Sequence, residues 1–442
     1  MGDPTTKKGA PATLTSVTAR VRGIRLALGE RHASFKLPRE GLWVVDGVLG
    51  PRSLPPRALD LIDLAGAIYR VESQVPARPT NPVAEWAVSA PVRDLRFWNE
   101  SGGVLLARVL TFLTRAKWTF DFRARPRAPT MIPASSVARR VDQIALFSGG
   151  MDSACGAGVH AGAKSLTQLV GFATRQKTLQ QELAHELGYQ PPTQWRLPGA
   201  RGKEGMNLIR SMMFLSLGAA VAETFGATHI YQYENGALAS AIPPAGNFLA
   251  TRHAHPILHH RLEQLFAAVF ERPLVIVNPF ALMTKREVAN AFANAAGTNL
   301  SESVLRRTET CWQLYQAHAG GEPKTPGVPC GVCTPCIVRR TARPREVKAR
   351  AWPGWRGYAF DLMKPQTRNS PKLGRAFRAY LELVEIVSLA RDDLELLREL
   401  APEARVVVGG PDLPLGDAAN LLRRFVSEFC DTFQIVVPKR TQ

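Results

Sequence analysis

The stretch Ile144-Ala-Leu-Phe-Ser-Gly-Gly-Met-Asp-Ser-Ala154 decides how the rest of the chain is read. Ile144 to Phe147 are consecutive apolar residues, with the length and bulk of a buried parallel strand. Ser148-Gly-Gly-Met-Asp-Ser153 breaks that strand, and the Ala/Gly-rich run 154–163 can continue as a closely packed helix. Strand, glycine turn and helix together aim backbone N–H groups and a helix N-terminus at an anion such as phosphate. Gly149 and Gly150 allow close backbone approach and positive φ. Ser148 and Ser153 add hydroxyl donors. Asp152 beside a phosphate makes sense if it holds Mg²⁺ or the turn's own N–H groups. The bland alternative is an ordinary strand-to-helix turn, since Ser, Gly and Asp are all turn formers. As a turn-surface residue, Asp152 would tolerate replacement by Asn with little change in folding.

Outward from this stretch, residues 137–345 alternate strand and helix signals. Strands are expected over 166–172, 229–233 and 274–277. Helices are expected over 178–187, over 209–225 ending at Gly226, and over 284–296 capped by Thr284. The pattern predicts an α/β fold, a doubly wound parallel sheet of Rossmann-like type, which binds ligands at the carboxyl ends of its strands. Glu234 and Asn235 follow one such end and are candidates to contact the ligand, although Asn235-Gly236 also reads as a simple turn.

Four of the six cysteines fall in one window: Cys311, Cys330, Cys333 and Cys336. The last three form Cys-Gly-Val-Cys-Thr-Pro-Cys, with two residues between neighbours, a spacing that wraps a tetrahedral metal; Cys311 closes the fourth corner. Structural Zn²⁺ is expected ahead of an iron–sulfur cluster, with no position left for water. Cys155 and Cys430 are expected to be small buried residues.

The Ser148-to-Ser153 segment resembles the pyrophosphate loop (PP-loop) of the ATP pyrophosphatase superfamily, which cuts ATP at the α-phosphate. Together with the four-cysteine cluster, Asn278-Pro279, Thr284-Lys-Arg-Glu287 and Cys336-Ile-Val-Arg-Arg340, it resembles 7-cyano-7-deazaguanine synthase over about residues 140–342. Glu234-Asn-Gly236, Pro243-Pro244 and Ala250-Thr-Arg-His-Ala-His-Pro256 look more like the enlarged synthase-like proteins of bacterial anti-phage systems. Where compact synthases carry an Asp-containing substrate segment, this chain has a different sequence over 233–245.

The resemblance implies an ATP- and Mg²⁺-dependent C–N ligase that adenylates a 7-carboxy-7-deazaguanine-like carboxylate. Amide and nitrile formation would follow, or transfer to an amine on a partner protein. Ser148, Gly149, Gly150, Asp152 and Ser153 would hold the phosphates. Arg175, Lys177, Arg210, Arg252 and Lys285 are candidate cations around them, with Lys177, Arg252 and Lys285 assigned to catalysis. His253 and His255 could be metal ligands or proton carriers, though a loop His-x-His is more often neither.

A chain of 442 residues, 45% hydrophobic and 21% charged, is globular and large enough for two or three domains. It shows neither a secretory signal nor a membrane-length apolar run, so a cytoplasmic protein is expected. Its net charge of +19 is dispersed from Arg20 to Arg440, which ranks nucleic acid as a partner below a small molecule. tRNA or nucleobase modification and a non-catalytic nucleotide-sensing subunit are the competing readings. An acceptor protein or defence-system subunit, and a second copy in a homodimer, complete the expected partners. Residues 1–13 read as a disordered tail, 14–130 as an N-terminal α+β domain and 350–442 as a C-terminal helical extension. In the first of these domains Val17, Ala19 and Val21 alternate as on a strand, and Leu59, Ile62, Ala65 and Tyr69 recur at helical spacing. A strand over 85–92, a helix over 103–113 and a strand over 117–123 follow. The aromatics Trp118, Phe120 and Phe122 of that last strand suit either a core face or base stacking, with core preferred. In the extension, Ser370-Pro371 reads as a helix start.

Overall fold

The structure is a computed structural model that describes residues 23–28, 31–36, 42–72, 85–125, 139–173, 176–197, 208–239, 252–311, 328–344, 357–400 and 415–437. The expected strand over Val17, Ala19 and Val21 and the segment Pro243-Pro244 lie outside these residues. The central element is a six-stranded mixed sheet. Five strands are parallel: β6 (Gln143–Leu146), β7 (Thr167–Phe172), β8 (Thr193–Arg196), β9 (His229–Tyr231) and β10 (Val275–Val277). They lie in the order β10-β9-β6-β7-β8, so the chain runs outward from β6 to β8, then restarts at β9 on the other side. The crevice between β6 and β9 is therefore the switch point where such sheets take ligands.

Side chains alternate across this sheet. Ile144 of β6 joins one apolar core, while Ala145 and Phe147 join another. The first core is covered by α6 (Arg210–Phe225) and α8 (Pro256–Phe270), the second by α4 (Met151–Val159), α5 (Lys177–Glu186), α9 (Lys285–Ala296) and α10 (Thr298–Arg307). Strand β7 is buried along its whole length, as both-face coverage demands. Strand β8 is legible only in three dimensions: Thr193 and Gln194 are fully buried yet polar, with Gln194 Nε2 donating to Gln180 Oε1 at 2.9 Å. Satisfied amides replace apolar bulk there, so no hydrophobic pattern marks the strand.

The N-terminal region packs across the boundary that the sequence suggests near residue 130. Its second sheet has the order β2-β1-β4-β5, formed by β1 (Gly23–Leu28), β2 (Arg31–Lys36), β4 (Glu85–Val92) and β5 (Lys117–Ala124). Strand β3 (Val44–Asp46), however, pairs antiparallel with β8 as the edge of the first sheet. Helix α1 (Pro56–Glu72) lies against α6, which explains why α6 has 12 buried residues out of 16. One apolar core runs through both regions. Trp118 and Phe122 of β5 are buried in it, Trp118 stacking on Trp86 at 5.2 Å, so the aromatic face is core. Helix α3 (Gly103–Thr114), preceded by the single turn α2 (Leu95–Phe97), connects β4 to β5.

At the other end, α11 (Thr334–Ala342), α12 (Pro365–Asn369), α13 (Arg375–Leu389), α14 (Asp393–Leu400) and α15 (Leu415–Phe433) surround a third core that contains Cys330, Cys333 and Cys336. Ser370 does not start a helix. Its hydroxyl and carbonyl accept from Leu373 and Gly374, closing a turn, and α13 begins at Arg375. The one-turn α7 (Gly236–Ala239) follows β9. No helix among the described residues is long and apolar enough to cross a membrane.

Candidate functional site

The carboxyl edge of the parallel sheet collects the chemistry-bearing residues because each connection leaves a strand there. The 148–153 loop follows β6, Gln176 and Lys177 follow β7, Arg210 opens α6, Glu234 and Asn235 follow β9, and Asn278 and Lys285 follow β10. Helix α4 starts at Met151, three residues earlier than the apolar pattern suggests, so Asp152 and Ser153 lie in its first turn. Gly150 is its N-cap and supplies no side-chain hydrogen bond, so no side-chain cap occupies the first-turn N–H groups. Gly149 has φ +78°, a conformation that glycine adopts without strain. The two serines brace the turn: Ser153 Oγ donates to Gly150 O at 3.0 Å, and the hydroxyls of Ser148 and Ser153 lie 3.2 Å apart.

Behind the loop is a buried polar cluster. Lys285 Nζ donates to Asp152 Oδ2 at 2.5 Å, with the side chains 3% and 9% exposed. Asn235, fully buried, donates from Nδ2 to Asp152 Oδ2 at 3.2 Å and to Glu234 Oε1 at 2.9 Å. Burial, then the Asp152 carboxylate, pushes the Glu234 carboxyl well above the usual carboxylate range. Burial opposes the charge on Lys285, but Asp152 and Glu234 outweigh it and hold the ammonium above its ordinary value. Asn278, just past the end of β10, fixes this geometry, accepting from Glu234 N at 3.2 Å and donating to Glu234 O at 2.9 Å. Asp152 Oδ1 is buried and has no hydrogen-bond partner. An orphaned carboxylate oxygen beside a second carboxyl group fits a divalent cation, so the donor set is compatible with Mg²⁺.

The other cations named from the sequence go to different places. Lys177 pairs with Asp46 of β3, and Arg252 donates to Phe112 O with its guanidinium 4.7 Å from the Phe112 ring centre, fastening α8 to α3. Both charges are thus engaged in joining the N-terminal region to the sheet. Arg210 is exposed at the carboxyl edge, over Phe214 at 5.1 Å. Arg175 lies outside the described residues. His255 caps α8, its Nδ1 accepting from Ile257 N, and so is not a free proton carrier. Burial and then Arg210 push His253 down to about 3, and burial and then His255 do the same to His259. Sequence reasoning missed Gln180, whose amide donates to Ser148 O at 3.2 Å and Phe172 O at 3.3 Å, and Gln176, which donates to Glu309 Oε2 at 3.0 Å. An amide in a helix carries no sequence signal for such work.

The four cysteines converge, every pair of Sγ atoms lying within 4.8 Å. Cys330 and Cys336 are 3.9 Å apart, against the ~3.8 Å edge of a tetrahedron with Zn–S near 2.3 Å. Val332 N and Cys333 N donate to Cys330 Sγ at 3.4 and 3.3 Å, and Cys330 N donates to Cys311 Sγ at 3.2 Å, supporting the thiolates as outer-shell donors do. The donor set fits a closed structural zinc site. Cys155 is fully buried in α4, and burial followed by the Asp152 charge pushes its thiol up, as suits a packing residue.

A family model described as Queuosine biosynthesis protein QueC matches residues 208–345, about a third of the chain. The matched span runs from the start of α6 to the end of α11, taking in Glu234, Asn235, Asn278, Lys285 and all four cysteines, and begins after the 148–153 loop. This segment is QueC-like, and its cysteine cluster is consistent with the zinc knuckle of that family. No curated protein matches the chain.

Proposed function

We propose that the chain binds ATP at the 148–153 loop and adenylates the carboxylate of a 7-carboxy-7-deazaguanine-like molecule. A carboxylate oxygen bonds to the α-phosphorus while the bond to pyrophosphate breaks, and pyrophosphate leaves with the electron pair. An amine nitrogen then bonds to the acyl carbon, AMP leaves with its electron pair, and the amine gives up a proton. With ammonia as acceptor the product is an amide, which a second activation and dehydration turns into a nitrile; with a partner protein's amine it is a conjugate.

The observation that carries this reading is the uncapped, glycine-turned start of α4 at the β6/β9 switch point, with Lys285 and Asp152 behind it. First-turn N–H groups meet the charge of the phosphates, and Lys285 is a fixed positive charge beside the loop. Asp152, aided by Glu234, would hold Mg²⁺, which supplies neutralising charge to the phosphates. The QueC-like segment supports the deazaguanine substrate class. A role in anti-phage defence, with a protein acceptor, rests on the sequence resemblance alone.

The test is nucleotide analysis with 7-carboxy-7-deazaguanine as trial substrate. AMP plus pyrophosphate is expected. ADP plus phosphate would overturn adenylation, and ATP binding without turnover would favour the nucleotide-sensing reading.

A further inference from the structure

The metal knuckle and the phosphate loop are joined by a short, fully specified path. Arg339 stands three residues after Cys336 on α11 and is 2% exposed. Its guanidinium donates to Thr308 O at 2.8 Å, Thr308 Oγ1 at 3.0 Å and Leu305 O at 2.7 Å, holding the end of α10 from the knuckle side. The next residue, Glu309, donates its backbone N–H to Gly149 O at 3.2 Å, and its carboxylate accepts from Gln176 at the start of α5. Two residues later comes Cys311, the fourth thiolate. The 308–311 segment is therefore gripped by the knuckle at both ends and touches the phosphate loop in its middle.

The contact with Gly149 has a specific consequence. Gly149 C=O and Gly150 N–H belong to one planar trans peptide and point in opposite directions. Holding the carbonyl from the Glu309 side thus fixes the direction of the N–H on the other. Gly149, at φ +78°, has no Cβ to resist rotation of that peptide, so an external bond must supply the constraint. The Gly150 N–H has only a 3.2 Å bond to Ser148 Oγ within the loop.

We propose that Glu309 is a positioning residue for the phosphate loop and that, through it, metal binding at the four cysteines and nucleotide binding at the loop favour each other. The inference rests on the nucleotide reading above, but concerns the coupling of two sites and not the reaction. Coupling between sites is reciprocal, so each ligand strengthens the other by the same factor.

The experiment uses the full zinc-loaded chain and an ATP analogue with a methylene bridge between the α- and β-phosphates. Zinc transfer to a chromogenic chelator is followed with and without saturating analogue, whose affinity is measured separately by calorimetry. Saturation should lower the equilibrium transfer of zinc by a factor of about 5 to 150, the usual range for coupled sites. Glu309→Pro deletes the N–H donor and should abolish the effect while zinc and analogue each still bind. Should that variant not fold, Glu309→Ala and Gln176→Leu, which release the side-chain tether, should each reduce the effect. A ligand that merely stabilised the whole fold would protect zinc equally in wild type and variants, and that result would overturn the proposal. So would analogue binding with no protection of zinc in the wild type. Absence of analogue binding to folded, zinc-loaded protein would instead remove the nucleotide reading, and this proposal with it.

Discussion

The 148–153 loop and the four-cysteine knuckle are built from the same backbone device and, on the proposed function, differ in where the anion comes from. Each places a positive-φ glycine, Gly149 at +78° or Gly331 at +82°, just before a nine-residue helix. Each helix has an extended N-cap, Gly150 or Cys333, that makes no side-chain capping bond. In the knuckle the N–H groups of Val332 and Cys333 turn onto Cys330 Sγ, an anion-forming group carried by the chain itself. In the loop the polar side chains are serine hydroxyls and the Asp152 carboxylate, which is paired with Lys285. On the proposed function the knuckle is complete once a metal neutralises its thiolates, and the loop only with an anion from outside. The first should be needed for folding and the second for chemistry.

The strongest way to break that contrast is to remove a thiolate. Cys330→Ser or Cys336→Ser should lose bound zinc and folded stability together. A structural zinc site is worth about 10–16 kcal/mol of apparent free energy, comparable with the whole stability of a domain. Metal content and thermal unfolding measured on the same sample provide the check, and a metal-free variant that unfolds like wild type would break the contrast.

A smaller effect is expected behind the loop, where the structure corrects a sequence-based expectation. Asp152 looks like a turn-surface residue in the sequence, so Asn would be harmless there. The structure buries it against Lys285. Lys285→Met leaves a buried carboxylate and Asp152→Asn a buried ammonium, each short of its partner, which costs about 3–5 kcal/mol. Urea unfolding measures this; a loss below about 1 kcal/mol would mean that water reaches the pair. Ser148→Ala sharpens the contrast from the other side. It should leave stability within about ±0.5 kcal/mol while lowering pyrophosphate release by about 10²–10³. An equal loss of stability and activity would make Ser148 a structural residue.

What the sequence made legible follows from how local each signal is. The β6 strand, the glycine turn, the Thr284 cap and the cysteine spacing are all fixed within a few residues, and each was readable. Pairings across long separations leave no such local signal. The Lys285–Asp152 ion pair spans 133 residues, and β3 joins the main sheet beside β8 through an edge pairing with no alternating apolar pattern. Lys177 and Arg252 have the right charge for phosphate contact, but their partners, Asp46 and Phe112, belong to a region that the sequence assigns to another domain. A cation's role is set by the groups packed against it, and only the fold supplies those.

The smallest predicted effect tests how the C-terminal helix reaches the loop. Glu428 on α15 accepts from Thr284 Oγ1 at 2.7 Å, and Thr284 is the N-cap that sets Lys285 at the start of α9. Burial pushes the Glu428 carboxyl up to about 7, against the opposing influence of the Thr284 bond and the nearby Arg286 and Arg424, while Glu287 adds to the rise. A carboxyl whose folded value lies above its unfolded value of about 4.5 binds its proton more tightly in the native state. Its contribution to stability is therefore fully present below pH ~4.5 and fades as pH rises through ~7. Glu428 Oε2 is buried without a partner, which is the physical reason ionisation is disfavoured. Wild-type Tm should carry this decline between pH 5 and 7.5 on the order of a few degrees, and Glu428→Gln, which keeps an acceptor for Thr284 and cannot ionise, should lack that part of it. Pyrophosphate release should keep its dependence on Ser148 in both proteins, because the helix start and not the loop is being loosened. If Glu428→Gln shows the same pH slope as wild type, Glu428 does not carry the proton, and the pH-independent hold on α9 lies in the Arg424–Glu287 pair and the bonds of Arg286 to Glu428 O and Thr432 Oγ1.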